Sequence, residues 1–130
     1  YEGGLRPAAG GGEPLPGVVG RGALEEQLYL LAHLLNLEEH LAEVGDLESA
    51  VKVRELRREA LDELALSVAG RPAAETGLRA AWCIVKHALL ASYHAYEAAL
   101  MLRSPRLAEL SRELWGLAVA ALEEALKRNA

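Results

Sequence analysis

The segment LRAAWCIVKHALLASYHAYEAALML, residues 78–102, decides the fold. It holds the only Cys and the only Met, one of the two Trp, two of the four His and two of the four Tyr. Its formal charges are Arg79, Lys86 and Glu97. A helix with a wet face needs a full polar stripe, so this stretch predicts a helix buried on most sides. The whole chain agrees with it: Leu, Ala, Glu and Arg dominate, Phe is absent, and β-branched residues are few. That is a helical alphabet.

Upstream, Gly70-Arg71-Pro72 and then Thr76-Gly77 interrupt the helical pattern, and the third helix is expected to start properly only at Thr76. Before that break, residues 47–69 place Ala50, Val53, Leu61, Leu64, Ala65 and Val68 on one face, with Arg54, Arg57 and Arg58 on or beside it. Gly45-Asp46 separates this second helix from a first over residues 23–44, since Gly suits the left-handed end of a helix and Asp caps the next one. Leu24, Leu28, Leu31 and Leu35 form one apolar row on the first helix, and Leu30, Leu34, Leu37, Leu41 and Val44 a second. Glu25, Tyr29, Asn36, Glu39 and Glu43 are left for its wet side. A turn this short makes an antiparallel hairpin, which brings Glu38 level with Arg54 and predicts a half-buried Glu–Arg network.

Downstream, Ser104-Pro105 is a capping Ser followed by Pro in the first helical position. The fourth helix, residues 105–128, is expected to bury Leu107, Leu110, Leu114, Leu117, Ala121 and Ala125. Four helices with short connections predict an all-α, up-down-up-down four-helix bundle over residues 23–130. Residues 1–22 hold eight of the twelve Gly and three of the five Pro, and are expected to form a flexible or extended arm.

At 130 residues and 52% hydrophobic content the chain is long enough for one domain with a real core. A net charge of −5 with no basic cluster speaks against a nucleic-acid partner. One Cys cannot form an internal disulfide, which makes the cytoplasm the expected compartment. No apolar run reaches a membrane span; the nearest, residues 88–96, is bounded by Lys86, His87 and Glu97. Scarce Asn and Gln beside abundant Glu and Arg match a thermophile composition.

Phosphate-binding loops, nucleophile elbows and paired zinc cysteines are absent from the sequence. The histidines carry more information. His33 and His40 are seven apart, as are His87 and His94. Seven residues span about 10.5 Å of helix, so neither pair chelates an ion alone. In an up-down bundle the first and third helices run parallel, which would set His33 level with His87 and His40 level with His94. His40-x-x-Glu43 and His94-x-x-Glu97 are then matched His/Glu couples facing one another. They resemble the couples from which ferritin-like carboxylate proteins build dinuclear sites, though with the order of the two residues reversed. That resemblance implies Fe, Mn or Zn at His40, Glu43, His94 and Glu97, with His33 and His87 as outlying donors. The plainer expectation is that these His sit at the edges of apolar faces and make one hydrogen bond each.

Cys83 shares a face with His87, but in an apolar helix a thiol is expected to pack and not to react. Lys86 and His87 are expected beside a carboxylate such as Glu59 or Asp62. Trp82 and Trp115 are expected as anchors of the core or of an interface. The run Trp82-Cys-Ile-Val-Lys-His87, with Leu37-Glu-Glu-His40 upstream and Arg54-x-x-Arg57 between, resembles small uncharacterised archaeal helical-bundle proteins over at most residues 24–102. This implies a bundle and no particular activity. The apolar surplus of the third helix exceeds what a bundle centre can cover, so self-association into a homodimer or higher oligomer is the leading expectation. On that basis the chain is expected to be a non-enzymatic interaction or structural module. The alternative is a ferritin-like metal-binding protein or oxidoreductase.

Overall fold

The computed structural model describes residues 21–130. The arm expected over residues 1–22 lies outside them except for its last two positions, which already belong to a helix. Four helices follow in order: α1 (Arg21–Glu43), α2 (Leu47–Ala69), α3 (Leu78–Leu102) and α4 (Pro105–Lys127), with a 3-10 turn at Ala73–Glu75 before α3. The architecture is all-α, with α1 paired to α2 and α3 to α4 as hairpins, consistent with the expected up-down bundle.

Local chemistry sets each boundary. Gly45 takes φ +82° after α1, a conformation open to Gly at little cost. Asp46 then caps α2, its carboxylate accepting from the Ser49 N–H at 3.1 Å, and that bond holds the carboxyl below the usual range. Gly70 closes α2 at φ +72°, donating to the Leu66 carbonyl. Ser104 Oγ accepts from the Leu107 N–H at 3.1 Å and Pro105 opens α4, as its place in the sequence predicts.

The core gathers Leu24, Leu28, Leu31, Leu64, Leu78, Val85, Leu89, Trp115 and Leu122. Tyr29 stacks on Trp115 at 4.6 Å between ring centres and ties α1 to α4. Between α3 and α4 the seam is built from small residues. Ser92 and Ser111, both fully buried, each donate a hydroxyl hydrogen bond to the other's backbone carbonyl at 2.8 Å. Two helices crossing at serines come close enough for this exchange, and neither hydroxyl is left unpaired.

The start of α3 is clamped by the end of the chain. Thr76 forms a bridge with Asn129, the Gly77 N–H donates to the Arg128 carbonyl at 2.8 Å, and Arg71 donates to Asn129 Oδ1 and to the Glu75 and Arg128 carbonyls. At Gly77 an added Cβ would meet the Ala125 carbonyl oxygen at 2.9 Å and the Arg128 Cβ at 3.0 Å. Backbone cannot swing aside as a side-chain tip can. Gly77→Ala is therefore expected to cost about 1–3 kcal/mol, read as a lower urea midpoint at unchanged slope.

Three expectations about helix faces are corrected. On α1 the second apolar row faces solvent: Leu30, Leu37 and Val44 are exposed, while Tyr29 and Asn36, assigned to the wet side, are buried. With leucines around most of the helix, periodicity alone cannot choose which arc turns inward. On α4 the buried stripe is Ser111, Trp115, Ala118, Val119, Leu122, Ala125 and Leu126, and Leu117 is exposed. The stripe follows the Trp and the small residues that permit close approach to α3, not the leucines. On α3 burial is confined to one side: Ile84, Leu100, Met101 and Leu102 are exposed.

Candidate functional site

Where the α1–α2 hairpin meets α3 an open groove of about 400 Å³ is lined by Glu38 and Glu39 of α1, Val51, Arg54 and Arg57 of α2, and Lys86 and His87 of α3, among others. Its floor is the expected Glu–Arg network. Glu38 accepts from Arg54 Nε at 3.0 Å and from Arg57 Nε at 3.2 Å, with Arg54 Nη2 at 2.9 Å. Arg57 is only 8% exposed, and its guanidinium also lies over the Trp82 ring at 5.5 Å. One carboxylate thus holds two guanidiniums, and the flat Arg57 head fills space against the indole. This is structural pairing, which removes most of the positive charge an anion would seek.

The sequence-predicted donors are placed as follows. His40 Nδ1 stands 3.7 Å from Glu43 Oε2, so the first couple forms, on an exposed surface. His94 Nε2 lies 3.3 Å from Glu39 Oε1 on α1. Glu97 instead interacts with Tyr93 and His33. One expected level holds and the other does not: His94 reaches Glu39, the neighbour of His40, whereas the His33 ring meets the edge of Tyr93 at 5.4 Å, C-terminal of His87, which lines the groove with Glu39 and Ala42. Asp62 at Ala73 and Arg57 over Trp82 set α2 antiparallel to α3, so α1 and α3 keep the shared direction of an up-down bundle.

Burial lowers the pKa of His33, partly offset by the Glu97 charge. Burial raises Tyr93 above its ordinary value, and Glu97 adds to that shift through its charge and a hydrogen bond. Both shifts favour neutral rings in this cluster. Among the described residues, no three His, Cys, Asp or Glu side chains gather as a metal ion would need.

Three neighbouring expectations also change. Cys83 is exposed instead of packed, because no helix among the described residues covers its side of α3. Asp62 caps the 3-10 turn, accepting from the Ala73 N–H at 3.0 Å, so it does not stand beside Lys86. Arg58, expected on or beside the apolar face with Arg54 and Arg57, takes no part in the Glu38 network and lines a second groove with Leu61, Asp62, Leu78, Arg79 and Trp82. Sequence reasoning missed the Ser92–Ser111 exchange and the Arg71–Asn129 clasp. Both join residues on separate elements with no motif linking them.

Among the described residues no helix is long and apolar enough to cross a membrane. No family model, no curated protein and no solved structure matches the chain.

Proposed function

We propose that the chain is a self-associating interaction module of the cytoplasm, built on a four-helix scaffold. The observation that carries this reading is the uncovered apolar surface: Ile84, Leu100, Met101 and Leu102 of α3, Leu117 of α4, and Leu30, Leu37 and Val44 of α1 all stand exposed. Single exposed leucines are ordinary, but so many on a chain of this size favour burial against another protein surface. The grooves give less support to an enzyme, since the charged groups on the floor of the Glu38 groove already satisfy each other.

Light scattering coupled to size exclusion tests the reading. The expected result is a species of at least twice the 14.0 kDa chain mass at micromolar concentration. A folded monomer over the whole concentration range refutes it.

The metal-binding alternative has the formed His40–Glu43 couple on its side. It needs a further donor from α3, and His94 is engaged by Glu39. Elemental analysis of untagged, chelator-free protein for iron, manganese and zinc decides it. Kinship with small archaeal helical bundles is likewise a proposal, resting on the short motifs around His40, Arg54 and Trp82.

A further inference from the structure

The outward side of α1 carries Leu30, Leu34, Leu37, Leu41 and Val44, spaced by four and three residues in alternation. This is the a/d pattern of a two-stranded coiled coil. At about 100° per residue, the row is centred about 130° around the helix from Leu24, Leu28, Leu31 and Leu35, which face the core. Leu30 is 50% exposed, Leu37 46% and Val44 78%, with Leu34 and Leu41 half-buried between them. On α2, exposed Leu56 falls beside the level of Leu37, because Glu38 is bound by both Arg54 and Arg57. α1 is thus a helix with two apolar faces, and the bundle covers one.

We infer that this outer seam of α1 is where a second copy of the chain docks, α1 against α1, through interlocking leucines. The inference rests on the self-association proposed above and names the surface responsible. A seam of alternating threes and fours fits another helix under a slight left-handed supercoil, and does not match the period of a strand. An identical seam is its most economical complement, since a two-fold axis makes one patch serve both partners. The flanking charges permit the approach. His33 and His40 border one side of the seam, with His40 paired to Glu43. Glu38 borders the other, neutralised by its two arginines. The seam and Leu56 expose roughly 400–500 Å² per copy, and the side-chain stems at its rim bring this toward the ~800 Å² per partner of a standard interface. The exposed apolar residues at the end of α3 form no such row: Leu100, Met101 and Leu102 are consecutive and point to different sides of a helix end.

The test compares three proteins by light scattering and sedimentation equilibrium: the full chain, Leu30→Glu with Leu37→Glu, and Ile84→Lys with Leu117→Glu. The seam residues are exposed in one copy, so circular dichroism of the first double variant should keep its helical signal; Leu37→Ala serves as a milder second variant. The expected outcome is self-association weakened on the order of a hundredfold or more for the seam variant, as loss of two exposed anchors to charge implies, with the Ile84/Leu117 variant unchanged. A dimer that survives the seam substitutions overturns this assignment and leaves self-association standing on another face, and so does a dimer lost only with Ile84 and Leu117. A full chain that is monomeric from the outset overturns both.

Discussion

Replacing Trp115 by Ala is expected to destabilise the fold by about 3–5 kcal/mol, more than truncating any exposed residue of the bundle. The side chain is 1% exposed and lies face to face with Tyr29, the two rings inclined by 20°. Removing it opens a large cavity at the junction of α1 and α4, and leaves the Tyr29 ring with one bare face. The indole N–H has no hydrogen-bond acceptor among the described residues, so the expected loss is one of packing. Trp115→Phe separates the contributions: it keeps an aromatic face for Tyr29 and gives up only volume, and should lose about 1–2 kcal/mol. Urea titration followed by far-ultraviolet circular dichroism measures both. Equal losses in the two variants would show that ring stacking adds nothing to the packing of this core.

Glu38→Ala is the second large case. The carboxylate is the acceptor for Arg57, whose side chain is 9% exposed, and for the more exposed Arg54. Without it a guanidinium remains in a dry setting with Trp82 as its main compensation. Removing one partner of a buried ion pair costs about 3–5 kcal/mol in the general case; the half-open groove beside Arg57 admits water, so roughly 2–3 kcal/mol is expected. Arg54→Ala should cost no more than about 1 kcal/mol, since that guanidinium reaches solvent. The double substitution Glu38→Leu with Arg57→Met should recover most of the loss, because it removes the stranded charge together with its partner. A double variant as unstable as Glu38→Ala alone would mean that the pair contributes specific geometry and not only charge balance.

The proposed self-association and the stability of the single copy would make different demands on α1. Its inner leucines are fixed by the core, and substitutions there should unfold the chain. Its outer leucines are free to change as far as the single copy is concerned. A helix that places five large apolar residues on its outer side lowers its own solubility, which makes sense when a second surface covers them.

Sequence by itself determined the helices and their ends. Gly45, Gly70, Asp46 and Ser104 act through their own backbone and nearest neighbours, so their effect is legible without tertiary structure. The α1–α2 hairpin was equally readable, because a short turn forces antiparallel pairing and a count outward from it sets Glu38 against Arg54 and Arg57. Tertiary structure alone decided which arc of α1 and of α4 turned inward. An apolar pattern wider than the space available is degenerate, and the choice went to the arcs that let Tyr29 stack on Trp115 and Ser92 meet Ser111. It also decided how α3 packs on α1, which sent His94 to Glu39 and His33 to Tyr93 and Glu97 in place of a second couple matching His40–Glu43. No local rule sets that relation between two hairpins, because it depends on how whole faces fit, and residues 78–102 present apolar side chains to nearly every direction.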